Sequence, residues 1–292
     1  MRTFRPIEDA PAFRGLIRVL GLVGLLALPV EGQEARMRHP LRVGGSSTLV
    51  PLIREAVRHL QRKRPDLAFE VEASTSKEGM EQLAEGRLDA AMSGLPMIPA
   101  LARRGAREIP LVLQAFVIVA HPEIPSTALK DADWGLLFTR PGLRWPGTDL
   151  PVKPVLRPKG TATQRVFEIQ VIQGQPPAPG EVAPFTPDLL ALVARTPGAV
   201  GLAEYGQARA WEGRLRLLPW KGLVCTPKAV KEGRYPLVET GALLYRPEAL
   251  APSAREALEA LQALLADPDF QGVVLEGQLG QFPLAWAGAS RP

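Results

Sequence analysis

The amino-acid sequence predicts an α/β fold built on a parallel sheet. Two observations lead to this expectation. Strand and helix patterns alternate as β-α-β-α-β over residues 41–94, and turns rich in serine and threonine, at 46–48 and 74–76, follow the first two strands. Strands that alternate with helices in this way pair in parallel through right-handed crossovers. Ligands of such sheets lie at the carboxyl ends of the strands, where both turns fall.

The elements of this first region follow from their apolar periodicity. Strands are expected at 41–45, 67–74 and 89–94, and helices at 49–65 and 76–88. The first helix carries its apolar residues, from Leu52 to Leu60, on one stripe. Ser76 is the expected N-cap of the second helix, and Gly86 lies just past the end of that helix.

A second region begins with the apolar run LQAFVIVAHPE at residues 113–123. It continues with a strand pattern at 152–158, helix patterns at 164–172 and 188–196, and a second apolar run, TGALLYRP, at 240–247. Helical spacing returns over residues 253–277. Because the two apolar runs cross between the regions, we expect two discontinuous lobes. Lobe one takes residues 38–118 and 240–292, and lobe two takes residues 119–239.

The composition limits the classes of function. The chain of 292 residues is 46% hydrophobic and 22% charged, which is the balance of an ordinary globular protein. Its net charge of +5 is spread among acidic residues, without a basic run or interleaved aromatics, so we expect no nucleic-acid partner. The single cysteine, Cys225, excludes an internal disulfide, and no Cys/His cluster has metal-site spacing. We therefore expect no metal and no cofactor.

The N-terminal segment has the pattern of a secretory signal peptide. Arginines precede an apolar run at residues 19–30, and small residues at cleavage spacing follow it. The run is shorter than the roughly 20 residues that span a bilayer. We expect residues 1–32 to be removed on export, so that the mature protein works in the periplasm or elsewhere outside the cytoplasmic membrane. A buried N-terminal helix is the alternative interpretation.

Six segments together resemble the periplasmic phosphate-binding proteins that serve ABC transporters. GGSSTLVPL, at 44–52, is similar to the first anion loop of that family, and STSKEGMEQLAEGRLDAAMSGLPM, at 74–97, is similar to its second loop, helix and strand. Further along the chain, the segments LLFTRPGLRWPG, RPKGTAT, TPGAVGLAEYGQA and YPLVETGALLYRP also resemble the family. The resemblance covers nearly the whole mature chain.

The resemblance implies a two-lobed periplasmic-binding-protein type II fold. In this fold each lobe is a mixed sheet flanked by helices, and two hinge strands join the lobes. It also implies an extracytoplasmic solute-binding protein that captures an oxyanion, phosphate by family pattern, and delivers it to the membrane permease of an ABC transporter. We expect a monomer that has no enzymatic activity.

The expected ligand-binding residues lie at three helix N-termini, at one strand end and on one arginine. They are Ser47, Thr48, Ser76, Gly94, Arg157, Thr161, Ala162 and Thr163. Backbone N–H groups and the helix dipole attract anions to such termini, and the hydroxyls add donors. Arg157 adds a planar guanidinium that suits bidentate anion binding. Each cap alone is ordinary, and their combination in family order favours a site.

Two positions depart from the family pattern. The family reads Ser-Asp-x-Pro where this chain reads SGLP, so Gly94 stands where the resemblance implies a ligand-facing aspartate. That carboxylate accepts the proton of hydrogen phosphate and repels sulfate. Ala162 replaces a glycine, which keeps the backbone further from a ligand. The sequence therefore predicts an oxyanion site with weak discrimination between phosphate and sulfate.

Two other functions stay open at this point. An enzyme would need a catalytic arrangement, and the sequence has no GxSxG, HExxH or defensible Ser/His/Asp set. His121 is interpreted as a surface residue near the hinge, Asp89 as a structural carboxylate, and Trp134 and Trp145 as packing residues of lobe two. A family member with lost or altered binding that acts as a sensor or scaffold is the second alternative, and Gly94 keeps it open. Thermal stabilisation by an anion distinguishes a binding protein from a scaffold.

Overall fold

The computed structural model describes residues 39–125, 133–272 and 279–284. Its strands are β1 Leu41–Gly45, β2 Phe69–Val71, β3 Ala90–Ser93, β4 Arg107–Ala120, β5 Lys153–Leu156, β6 Glu181–Val182, β7 Ala199–Glu204, β8 Arg216–Leu218 and β9 Val238–Tyr245. Its helices are α1 Val50–Lys63, α2 Ser76–Glu85, α3 Pro99–Ala102, α4 Trp134–Thr139, α5 Ala162–Val166, α6 Thr186–Arg195, α7 Tyr205–Arg209, α8 Pro227–Lys231, α9 Pro252–Leu265 and α10 Pro268–Phe270. A π-helix, Phe167–Val171, continues α5, and a 3₁₀ turn spans Pro247–Ala249. The predicted signal peptide lies outside the described residues.

The first region folds as its periodicity predicts. β1 pairs in parallel with β2 and with β3, so the β-α-β-α-β expectation is confirmed. α1 buries Leu52, Ile53 and Val57 of the predicted stripe and packs against α9. β9 joins β3 antiparallel. The sheet is therefore mixed rather than purely parallel.

The start of α2 corrects one detail of the sequence analysis. Thr75, and not Ser76, is the N-cap: its hydroxyl accepts the Glu78 N–H at 3.1 Å, and the Glu78 carboxylate accepts the Thr75 N–H at 2.9 Å. This capping box satisfies two backbone donors reciprocally. Ser76 is instead the first helical residue and is fully buried. Because its hydroxyl does not cap the helix, it can contact another element. Gly86 ends the helix with a left-handed φ of 78°, as expected.

β4 is one strand that serves two sheets. Residues 107–115 pair antiparallel with β9, and residues 116–120 pair antiparallel with β7. The complete strand order is β2-β1-β3-β9-β4-β7-β5-β6, with β8 paired to β4. One large apolar core lies on each side of this change of partner. The two-lobed fold joined by hinge strands is therefore confirmed, while the lobe boundaries at 118/119 and 239/240 stay predictions.

The second lobe is built on β5, which pairs in parallel with β6 and β7. Trp134 and Trp145 are buried in its core as expected, and the Trp145 indole N–H donates to the Gly198 carbonyl at 3.0 Å. The interpretation of His121 as a surface residue is wrong, because its side chain is only 8% exposed. Its backbone N–H donates to the Ala199 carbonyl at 3.0 Å, which holds the residue against the neighbouring strand.

The C-terminal segment returns to the hinge. Leu113 on β4 and Phe282 exchange two backbone hydrogen bonds of 2.8 and 3.0 Å, and Phe282 packs in the core of lobe two. Residues 273–277 of the expected C-terminal helical stretch lie outside the described residues. Within the part of the chain that the structure describes, no helix is long and apolar enough to cross a membrane.

Candidate anion-binding site

The first loop of the site connects β1 to α1. The Ser46 N–H donates to the Met92 carbonyl at 2.9 Å, and the Leu49 N–H donates to the Ser46 carbonyl at 3.0 Å, so the loop is held as a turn beside β3. The hydroxyls of Ser46 and Thr48 are 2.9 Å apart and both are buried. Ser47 is half-buried, and its hydroxyl faces the other lobe, where it meets an arginine.

The second loop leads into α2 and places Ser76 next to Gly94. The Gly94 N–H donates to the Ser76 hydroxyl at 3.2 Å, which joins the N-terminus of α2 to the carboxyl end of β3. The next residue, Lys77, donates its backbone N–H to the carbonyl of Gly160 in lobe two at 3.1 Å. One of the free N–H groups of the α2 N-terminus is therefore used to contact the other lobe.

The third loop precedes α5 in lobe two. Thr161 is the N-cap, since its hydroxyl accepts the Gln164 N–H at 3.2 Å and donates to the Pro158 carbonyl at 2.9 Å. Ala162 and Thr163 follow and are both 1% exposed. The Thr163 hydroxyl has no hydrogen-bond partner among the described residues. This loop therefore presents one hydroxyl that is committed to capping and one that is not.

Arg157 is the cation of the site, and it is 4% exposed. Its Nη1 donates to the Ala183 carbonyl at 2.8 Å and its Nη2 donates to the Ser47 hydroxyl at 3.2 Å, whereas its Nε has no partner within the described chain. Burial lowers the pKa of the guanidinium to about 10, and the charge of Asp188 opposes this shift. The group still carries its positive charge at neutral pH, with no carboxylate in ion-pair contact among the described residues.

Three contacts close the two lobes around these groups. Arg157 meets Ser47, and the backbone of Lys77 meets the backbone of Gly160. The third contact joins Gly94 to α5: a Cβ atom placed on Gly94 would lie 2.6 Å from the Cβ of Ala162. All the predicted site residues thus lie in the loops that these contacts join or directly beside them. Their role in ligand binding stays a prediction.

The contact between Gly94 and Ala162 links the two departures from the family pattern. No pair of Cβ atoms approaches to 2.6 Å, so any side chain at position 94 would have to displace α5 or its loop. The methyl group of Ala162 therefore occupies the space next to position 94, and the glycine makes room for it. In the sequence these two departures are independent, whereas in the structure they are complementary.

Sequence reasoning missed two buried glutamines. Gln281 is 1% exposed and its Nε2 donates to the Thr48 carbonyl, at 3.1 Å, in the first loop. Gln114 on β4 is fully buried beside Gly94. A signal for Gln114 was present, because it is the one polar residue in the apolar run of residues 111–120. Gln281 carries no comparable signal, since only the return of the C-terminal segment brings it to the site.

Two α/β lobes that meet at helix N-termini and a buried cation have the architecture of the type II periplasmic-binding-protein fold. A protein-family model described as a PBP superfamily domain matches residues 30–267. The chain belongs to this superfamily.

Relatives with known names share the sequence or the fold. The phosphate-binding protein PstS of Bacillus subtilis is 26% identical over 212 residues, which cover 70% of this chain and 69% of that protein. A structure from Clostridium perfringens, described as a phosphate ABC transporter substrate-binding protein with bound phosphate, has a TM-score of 0.69 at 17% identity and covers 82% of this chain and 98% of its own. An ABC-type phosphate transport receptor from Vibrio cholerae has a TM-score of 0.62 at 18% identity, with coverages of 84% and 100%. At such identities the two structures establish the fold alone.

Proposed function

We propose that this protein captures a tetrahedral oxyanion, phosphate first, between its two lobes and delivers it to the membrane permease of an ABC transporter. The observation that carries the proposal is Arg157. This cation is buried between the lobes, reaches the Ser47 hydroxyl of the opposite lobe, and has no ion-pair partner among the described residues. Buried charges in proteins are usually paired, so an anion is the fitting partner.

The surrounding groups suit an oxyanion rather than another anion class. A tetrahedral oxyanion accepts hydrogen bonds from all directions. Arg157 lies within hydrogen-bond distance of the Ser47 hydroxyl of lobe one and lines one cavity together with Thr163 of lobe two. The hydroxyls of Ser47 and Thr163 and the guanidinium of Arg157 are the donors that we assign to the ligand. The named phosphate-binding relatives support phosphate as the first candidate.

The absence of a carboxylate at position 94 favours a second candidate ligand. An aspartate there would repel a fully ionised anion, and Gly94 does not. Sulfate is therefore a specific alternative, and a binding-altered sensor or scaffold is the remaining one. We propose no enzymatic step and no cofactor for any of these functions.

We further propose that the two lobes close on the ligand by a hinge motion at β4 and β9. Lobe one takes residues 38–118 and 240–292, and lobe two takes residues 119–239. We place the protein outside the cytoplasmic membrane as a monomer after removal of residues 1–32. Mass spectrometry of the exported protein tests the cleavage, and a secreted chain that still begins at Met1 would contradict it.

A thermal-shift panel tests the function itself. Purified mature protein is heated with phosphate, sulfate, arsenate or tungstate, and Arg157→Ala serves as the non-binding control. A ligand at 100 times its Kd stabilises the native state by about 2.7 kcal/mol, so a true ligand raises Tm measurably. Stabilisation by phosphate in the wild type and not in Arg157→Ala supports the proposal. No stabilisation by any of these anions would leave the scaffold function instead.

A further inference from the structure

The side chain of Gln114, on β4, makes no hydrogen bond with the described groups of the candidate site. Its side chain is 0% exposed, and neither its Oε1 nor its Nε2 has a hydrogen-bond partner among the described residues. An amide buried in this way loses its hydrogen bonds to water and gains none in return. Buried side-chain polar atoms are nearly always paired, so this unpaired amide needs an explanation.

The position of the amide supplies one. Its Oε1 lies 3.2 Å from the point where a Cβ on Gly241 would be, and 3.5 Å from the corresponding point on Gly94. Two neighbouring positions without side chains therefore let the long side chain of Gln114 extend across the sheet. The Cβ of Ala162, in lobe two, lies 2.6 Å from the same point on Gly94. The amide thus ends at the meeting point of β3 and α5.

This meeting point is part of the candidate site. Gly94 donates its N–H to Ser76 at the N-terminus of α2, and Ala162 follows the Thr161 cap of α5. Gln114 belongs to the hinge strand and lies two residues before Phe116, the first residue of β4 that pairs with β7. Gln114 therefore places a polar side chain of the hinge strand at the point where the two lobes meet.

We propose that Gln114 contacts the bound oxyanion and lets the site hold it with or without a proton; this inference rests on the proposed function. An amide accepts a hydrogen bond through Oε1 and donates through Nε2, and it carries no charge. Oε1 can accept the hydrogen bond that the P–OH group of hydrogen phosphate donates. The hydroxyls and the guanidinium of the site then serve as donors to the other phosphate oxygens. Nε2 can donate to an unprotonated oxygen of phosphate or sulfate. The ligand class is thus a doubly charged tetrahedral oxyanion, with or without a proton.

A structural role for Gln114 makes a different prediction from a binding role. If the amide only supported the fold, it would satisfy neighbouring polar groups, and among the described residues it satisfies none. Replacing an unpaired buried amide by an apolar side chain of similar size is neutral or stabilising for the folded protein. Loss of binding without loss of stability is therefore the signature of a ligand contact.

The test compares Gln114→Leu and Gln114→Glu with the wild type. Calorimetry measures the Kd of each for phosphate and for sulfate at one pH, and thermal unfolding measures Tm without anion. Gln82→Leu is the matched control, because its Oε1 is also buried without a described partner but lies on α2, in a part of that helix outside the site.

We expect Gln114→Leu to bind both anions at least tenfold more weakly, with an unchanged or higher Tm in the absence of anion. We expect Gln114→Glu to raise the ratio of phosphate to sulfate affinity at least tenfold, because the new carboxylate accepts a proton and repels sulfate. Gln82→Leu should bind as the wild type does. If the wild type binds and Gln114→Leu keeps its affinities within twofold, the inference on Gln114 is wrong and the proposed function stands. If the wild type binds neither anion, both fall together.

Discussion

Lobe one and lobe two treat their buried charges in different ways. In lobe one the buried carboxylate of Asp89 accepts hydrogen bonds from the backbone N–H, Nε and Nη2 of Arg42, at 2.9, 3.0 and 3.0 Å. In lobe two Arg157 and Glu204 are 4% and 1% exposed, and neither has an ion-pair partner within the described ranges. Burial lowers the pKa of Arg157 to about 10 and raises the pKa of Glu204 to about 8.

Lobe two gains more from a bound anion than lobe one does. A buried charge that already has a partner of opposite sign gains little from another, whereas an unpaired one gains much. Arg157 faces the lobe interface, so an anion bound there supplies its counter-charge. Glu204 has a different role. Its carboxylate caps α7 by accepting hydrogen bonds from the N–H groups of Gly206 and Gln207 at 3.0 and 2.8 Å. Lobe two therefore holds both the unpaired cation that we propose as the ligand's anchor and a pH-sensitive carboxylate.

The largest expected effect is the loss of anion binding in Arg157→Ala. Removing the charged donor should weaken oxyanion binding by about 3 kcal/mol. Arg157→Lys keeps the charge but not the planar guanidinium, so its affinity should lie between those of the wild type and Arg157→Ala. Isothermal calorimetry measures this, with the exposed Arg54→Ala as control. Equal affinities for Arg157→Ala and the wild type would remove this residue from the site.

The next effect concerns Gly94 and Ala162, the point where the lobes touch. Gly94→Asp alone should weaken phosphate and sulfate alike, because its Cβ meets that of Ala162 and keeps the lobes apart. The double variant Gly94→Asp with Ala162→Gly should recover phosphate and disfavour sulfate by about 100-fold, or about 2.7 kcal/mol, through repulsion by the buried carboxylate. Competition calorimetry with both anions measures this ratio.

Two results would contradict this account of position 94. The first is a wild-type protein that already prefers phosphate over sulfate by more than about 100-fold, since another group would then supply the discrimination. The second is a single Gly94→Asp variant that binds phosphate as well as the double variant does. In that case the contact with Ala162 would impose no restriction on the closed lobes.

A smaller effect is expected on the pH dependence of stability. The pKa of Glu204 rises from 4.5 to about 8 on folding, so the folded protein binds more protons than the unfolded chain between these values. The free energy of unfolding should therefore fall as pH rises from about 4.5 to about 8. The protein relaxes around the ionised carboxylate, so the loss of stability is smaller than the full pKa shift would give. We expect the free energy of unfolding to fall by about 2 kcal/mol over this pH range.

Urea unfolding at several pH values measures this fall in the wild type and in Glu204→Gln. The neutral amide keeps an acceptor oxygen for the cap and cannot titrate, so the variant should lose most of this pH dependence. The exposed Glu108→Gln is the control. A Glu204→Gln profile that falls as steeply as that of the wild type would assign the effect to other groups.

The smallest effect tests the paired charge of lobe one. Asp89→Asn keeps one acceptor oxygen but loses the charge opposite Arg42, which is 31% exposed and can regain water. We expect a loss of about 1 kcal/mol in the free energy of unfolding, within the usual range for a charged hydrogen bond that is partly solvated. Asp149→Asn, whose side chain is fully exposed, should change less. A change in oxyanion affinity in Asp89→Asn would contradict its purely structural role.

Much of lobe one was predictable because its information is local. The stripe of α1, the alternation of β2 and the glycine that ends α2 each depend on neighbours in sequence. The Thr75 cap was missed by one position, since Thr75 and Ser76 are both good caps and only the reciprocal contact with Glu78 distinguishes them. His121 was misplaced for the opposite reason: its backbone pairs with Ala199, which is far away in the sequence, so no local pattern predicts that the residue is buried.

Local sequence patterns are enough to predict the order of strands and helices, the two apolar crossings and the polar residues of the three loops, because periodicity and turn chemistry act over a few residues. The folded chain alone shows that Arg157 reaches Ser47, that Gly94 and Ala162 touch, and that Gln114 ends beside them. These contacts join residues of different lobes or strands, and no local pattern encodes a distance between chain segments that meet only when the lobes close.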